Sequence, residues 1–222
     1  MDSLELIRRV RKATKALRRA SSWNGSWQKV DAESDDFVYE HLCYLKATLM
    51  AEPSFRLKVV TRPHRTTGKP TALWPRKPGK KSTFSYFLLS SRVNNANVFQ
   101  LCPGIRIGDK DGKYRAPDIN LLKGNCSDSP SHSDLLGIWD AKYLSKKGAS
   151  LPDTQVSDFV FTFEQLGSPN PPSAWCAAVG APVFQGSGLI TNGEFSTERN
   201  ATLAQRQVRE TKTYPDNPET RP

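Results

Sequence analysis

The sequence predicts an α/β protein built on one mixed β-sheet with helices packed against it. Three observations predict that class. The chain has 222 residues, 37% hydrophobic and 24% charged, enough for one domain with a real core. Segments of helical period and short apolar, β-rich runs follow one another in the order helix, several strands, helix, strand. No apolar run approaches the roughly 20 residues of a membrane span; the longest, Ala174 to Phe184, is broken by Gly180 and Pro182. The N-terminus lacks the apolar stretch of a signal peptide.

Residues 1–20 read as a basic helix. Asp2 caps it with Glu5 three residues on, and Leu4, Ile7, Val10 and Leu17 recur at helical spacing. This thin apolar stripe suits docking onto the body of the protein, and it lacks the aromatic anchors of a membrane-surface helix. After a loop from Ser21 to Asp31, Asp35 or Asp36 caps a second helix running to about Ala51. Val38, Leu42, Leu45 and Leu49 form one stripe there, while Phe37, Glu40, Tyr44 and Ala47 fall on the opposite side. A helix apolar on both sides is covered, so Glu40 faces a buried or cleft surface.

Phe55 to Val60, Phe84 to Leu89 and Val98 to Ile107 read as strands. Gly108 to Gly112 is a turn between Ile107 and Tyr114, which predicts a hairpin. Strands follow over Arg115 to Leu122 and, after a polar loop from Lys123 to Asp134, over Leu135 to Leu144. Asp153 caps a helix to about Leu166, and Ala174 to Val179 reads as a buried strand. The main domain is thus residues 21–191, followed by a polar extension over 192–222 whose last dozen residues, with Pro215, Pro218 and Pro222, read as loose. Cys43, Cys102, Cys126 and Cys176 form no C-x-x-C pair and read as reduced, mostly buried thiols, which suits the cytoplasm.

The formal charge of +10 is unevenly placed. Between Pro53 and Gly108 there are eleven Lys and Arg and no Asp or Glu. Within a basic loop at 61–83, cations alternate with prolines and glycines, which excludes a regular helix or central strand. Such a ribbon suits a nucleic-acid backbone: Arg62, Arg65, Lys69, Arg76, Lys77, Lys80 and Lys81 would meet phosphates, and Trp74 would stack on an unpaired base. The alternative is a solvated loop with Trp74 packed on the core.

The chemistry concentrates elsewhere. Along Leu135 to Leu144 the alternation of a strand puts Asp140 and Lys142 on one face and turns Ala141 away. A carboxylate and an ammonium on an apolar strand are costly without a purpose. The preceding strand carries Asp118 after Pro117, and if the two strands pair, Asp118 and Asp140 converge. Two carboxylates at close range repel, and a divalent cation between them removes the penalty.

Glu40 in a helix, Pro117-Asp118, and Asp140-Ala141-Lys142 together resemble the PD-(D/E)XK nuclease superfamily. The flanking Tyr39-Glu40 and Trp139-Asp140-Ala141-Lys142-Tyr143 look most like the nuclease subunits of McrBC-type modification-dependent restriction systems. The resemblance spans roughly Asp35 to Val179. Asp111-Gly112-Lys113 and Glu210-Thr211-Lys212 also match the second motif, but they fall in a turn and a polar segment. The basic loop stands as an insertion between the helix and the motif strands.

The resemblance implies a restriction-endonuclease-like mixed sheet with an αβββαβ core and Mg²⁺-dependent hydrolysis of DNA, with Mn²⁺ able to substitute. It implies metal ligation by Asp118, Asp140, Glu40 and the Ala141 carbonyl. Lys142 would orient or deprotonate the attacking water, its own pKa depressed by the cation. Gln155 would contact the phosphate or the water, and Arg115 would add a phosphate contact. RNA remains open as a substrate, and a homodimer or a nucleotide-driven motor would be the protein partner, since the chain has no Walker motif of its own. Two other readings compete: a nucleic-acid-binding protein without catalysis, and a membrane-peripheral or assembly module using the basic N-terminal helix.

Overall fold

The computed structural model describes residues 3–23, 25–30, 33–63, 68–146, 148–180 and 184–194, with the backbone of Arg209–Thr211. The expected Asp2 cap lies outside them. Helix α1 (Ser3–Ala20) buries Leu6, Val10, Ala13 and Leu17. The buried stripe is centred beside the expected one, so Leu4 is 80% exposed while Ile7 packs only partly. After β1 (Ser26–Trp27), α2 (Asp35–Ala51) is capped by the Ser34 hydroxyl, which accepts from Phe37 N. Eleven of its side chains are buried, the covered helix that apolar residues on both sides demand.

Strand β2 (Phe55–Val60) is followed by β3 (Arg62–Pro63) and β4 (Pro70–Ala72), which pair with β1 in a small separate sheet. The basic segment is therefore partly a ribbon. Next come β5 (Tyr86–Ser91), β6 (Asn97–Pro103), and the hairpin of β7 (Ile107–Gly108) with β8 (Tyr114–Arg115). Strand β9 (Ile119–Lys123) starts only past Pro117, which has no N–H for a ladder, and β10 (Leu135–Lys142) follows.

Helix α3 (Asp153–Gln165) precedes α4 (Ser173–Val179), where a strand was expected. A short apolar run does not distinguish strand from helix by periodicity. Here Pro172 starts the helix, Gly180 ends it in the left-handed region at φ 60°, and Trp175 and Val179 share its buried face. Strand β11 (Gly188–Thr191) and β12 (Arg209–Thr211) complete the chain, so the polar extension contributes an edge strand. The remainder of its last dozen residues, including Pro215, Pro218 and Pro222, lies outside the described residues.

The main sheet is mixed, in the order β12-β11-β10-β9-β6-β5-β2. From β2 to β10 every neighbouring pair is antiparallel, whereas β10, β11 and β12 run parallel. The parallel step needs a long crossover, and α3 with α4 supplies it. Alternation sends Trp139 and Ala141 of β10 into a core shared with α1, α2 and α4. Ile138 goes into a second core under α3. Helices thus cover both faces. No helix of the described residues is long and apolar enough to cross a membrane.

Candidate functional site

The antiparallel register of β9 and β10 pairs Asn120 with Ile138 and Ile119 with Trp139. One step beyond that ladder the register sets Asp118 opposite Asp140. The two are interlocked through the backbone: Asp118 N–H donates to Asp140 Oδ1 at 3.1 Å, and Ala141 N–H donates to Asp118 Oδ2 at 2.8 Å. Lys142 Nζ lies 3.5 Å from Asp140 Oδ2 and 3.8 Å from Asp118 Oδ2. Gly104 N–H donates to the Asp118 carbonyl at 2.8 Å, and Asn120 Nδ2 donates to the Pro117 carbonyl at 2.8 Å.

The fully buried Asn120 therefore holds the corner that aims Asp118. Sequence reasoning passed over it. Its signal was an amide two residues after Asp118 on an apolar strand, where alternation returns it to the same face.

Glu40 reaches this cluster from the first half of α2. Together with Asp118 it lines a small cleft, walled by Phe37, His41, Tyr44, Trp74, Pro75 and the Pro103-Gly104 corner. Burial pushes the Glu40 carboxyl up to about 7 against the pull of Lys142, with Asp140 and Asp36 adding to the rise. Burial likewise raises Asp118, and the charges of Asp140 and Glu40 add to it. Burial draws the Lys142 ammonium down, but Asp140, Asp118 and Glu40 outweigh it, so its pKa is raised. His41, stacked on Phe37 and tilted against Trp74, is held neutral by burial, its pKa pushed down to about 3.

Among the described residues, no group of three or more His, Cys, Asp and Glu side chains is gathered closely enough to hold a metal ion. The acidic pair is nevertheless suited to a hard cation. Mg²⁺ takes one or two carboxylates and keeps several waters. Thr191 Oγ1 donates to the Lys142 carbonyl at 2.7 Å, so the backbone polar groups of Lys142 face β11. By alternation those of Ala141, carbonyl included, face Asp118.

The expected nucleic-acid contacts divide. Trp74 is 2% exposed and packs against Trp27, Tyr44, His41 and Phe87. It is a core anchor for the loop and cannot stack on a base. Lys81 is 1% exposed; its ammonium donates to the Cys126 and Ser127 carbonyls and lies over the Tyr86 ring. It too is withdrawn from phosphates. Arg62 is tied to Asp128 and the Phe84 carbonyl, and Arg115 to Asp109 and the Phe161 ring. Arg65 lies outside the described residues.

Lys69, Arg76, Lys77 and Lys80 are exposed, Arg76 in an ion pair with Glu33. Gly79 forms a bridge with Ile105, and its carbonyl accepts from Arg106 N, which fixes the loop beside the Pro103-Gly104 corner of the cleft. Gln155, in the first turn of α3, has a buried Oε1 with no hydrogen-bond partner among the described residues. All four cysteines are free thiols, three of them buried. The buried stripe of α1, Leu6, Val10, Ala13 and Leu17, joins the core that α2 shares. Scans of protein-family models, of curated proteins and of solved structures each return no match to this chain.

Proposed function

We propose that this chain is a metal-dependent nuclease of the PD-(D/E)XK type, with a restriction-endonuclease-like core, that hydrolyses DNA phosphodiester bonds in the cytoplasm. One observation carries the reading. Asp118 and Asp140, 22 residues apart, meet at the ends of paired strands with Lys142 Nζ within 4 Å of both, and Asp118 lines a cleft together with Glu40. Cations of the anchored loop, Arg76, Lys77 and Lys80, stand beside that cleft, as binding of a polyanion requires.

Asp118, Asp140, Glu40 and the Ala141 carbonyl would hold Mg²⁺ or Mn²⁺, with waters filling the remaining positions. When bound, the ion would lower the pKa of a coordinated water and neutralise charge on the scissile phosphate. Lys142, beside both aspartates, would orient the attacking water and donate a hydrogen bond to a phosphate oxygen. Asn120 would act through the backbone, holding the Pro117 carbonyl so that Asp118 keeps its aim.

The test is incubation of plasmid and linear DNA with the purified protein and Mg²⁺ or Mn²⁺, beside Asp140→Ala and Lys142→Ala. Metal-dependent cleavage that both variants lose is expected; cleavage equal in all three proteins overturns the reading. A second reading, a nucleic-acid-binding protein without catalysis, is favoured by the ion pairs of Lys142, which already offset charge in the cluster. It predicts DNA binding indifferent to divalent metal and to loss of Asp118.

A further inference from the structure

The β7–β8 hairpin is built more firmly than its position at the surface requires. The Asp109 carboxylate is fully buried and accepts three hydrogen bonds, from Asp111 N, Lys113 N and Arg115 Nε, at 3.0, 2.8 and 2.9 Å. Gly112 supplies the left-handed residue of the turn at φ 76°. Lys110 N–H donates to the Gln165 carbonyl at the end of α3, and the Arg115 guanidinium lies 4.8 Å from the Phe161 ring on the same helix. The hairpin is thereby locked onto α3 at two points.

Its outward side chains serve none of this. Tyr114 is 70% exposed, and Lys110 and Lys113 are exposed on the same turn. A rigid mount carrying an aromatic ring with no partner among the described residues is arranged for a ligand with a flat face. Its position names the ligand. Tyr114 precedes Asp118 by four residues, and the hairpin begins at Ile107, directly after Arg106, whose N–H bonds the Gly79 carbonyl of the cationic loop. Asp111 offsets one of the lysines, so the ring rather than the local charge distinguishes the surface.

We infer that Tyr114 on this hairpin is a stacking platform for an unpaired base of the bound nucleic acid, flanked by Lys110 and Lys113 as phosphate contacts. It takes the place that Trp74, being interior, cannot fill. The inference rests on the nucleic-acid reading above and deepens it: the substrate has a single-stranded segment or end beside the reacting phosphate. A paired base, already stacked within a duplex, would leave the ring nothing to cover.

The test is fluorescence anisotropy without divalent metal, using a labelled duplex with a short single-stranded overhang and the same duplex blunt. Tyr114→Ala should weaken binding of the overhang DNA about tenfold, the loss of one stacked base. Tyr114→Phe should restore it, and blunt DNA should change by less than about twofold. Equal loss on both DNAs, or none on either, overturns the inference and leaves the nuclease reading standing if wild-type protein still cleaves. Tyr114-dependent binding without any metal-dependent cleavage sinks the nuclease and keeps the platform. Wild-type protein that binds neither DNA overturns both.

Discussion

The backbone N–H of Asp118 donates to Asp140 Oδ1 across 3.1 Å, so the second carboxylate holds the first in place. The neighbouring Ala141 N–H returns a bond to Asp118 Oδ2. Each acid is thereby oriented by the other strand's backbone, which places the like charges and limits their freedom to swing apart. The pair is held together by the sheet against its own repulsion.

Replacing Asp140 separates these two effects. Asp140→Asn keeps an oxygen for the Asp118 N–H and removes one of the repelling charges, so its urea midpoint should equal or exceed that of wild type. Asp140→Ala leaves that N–H unpaired and should cost about 1–3 kcal/mol. Both should abolish Mn²⁺ binding by calorimetry. Undiminished Mn²⁺ binding in Asp140→Asn would remove this residue from the site.

Glu40 makes stability depend on pH. Its carboxyl is raised from 4.5 to about 7, so the folded state binds the proton more tightly than the unfolded chain. Its contribution is full below about pH 4.5, declines as pH rises to about 7, and is lost above it. Glu40→Gln should therefore match wild type at the acid end and exceed it by about 1–3 kcal/mol at pH 8, read from urea unfolding at both pH values. A constant difference at all pH values would refute the assignment.

Trp74 belongs to the core, and its removal should show that. Trp74→Ala empties a space bounded by Trp27, His41, Tyr44 and Phe87, and should cost about 3–5 kcal/mol. Trp74→Phe should cost less. A near-neutral Trp74→Ala in a thermal or urea melt would contradict the packing.

The loop lysines should divide into two kinds. Lys81→Ala removes a buried ammonium that bonds the Cys126 and Ser127 carbonyls, leaving them only Gln100 Nε2 and the Cys126 thiol as donors, and should destabilise the fold by about 1–3 kcal/mol. Lys77→Ala and Lys80→Ala should leave stability unchanged. Each should lower the slope of log K against log salt for DNA binding by about 1. A Lys81 variant with unchanged stability and a reduced salt slope would reverse the assignment.

Much of the candidate site was legible because it rests on local periods. Alternation along 135–144 put Asp140 and Lys142 on one face. Apolar residues on both sides of 35–51 announced a covered helix with Glu40 in a cleft. The ring and ammonium of Trp74 and Lys81 misled, since residues in a segment rich in proline and cations look exposed until something covers them. Ala174 to Val179 misled for a different reason: the seven-residue helix over Ser173–Val179 has too few turns to declare a period.

By itself the sequence determined which side chains share a strand face or a helix face, where the chain must turn, and where positive charge accumulates. These follow from backbone geometry over a few residues. Only the tertiary structure decided that β9 and β10 pair in the register that sets Asp118 against Asp140, and that Asn120 braces the corner. It alone turned Trp74 and Lys81 inward, left Tyr114 outward, and brought residues 209–211 to the sheet edge. Pairing and burial depend on which distant segment comes to lie alongside, and no local pattern carries that information.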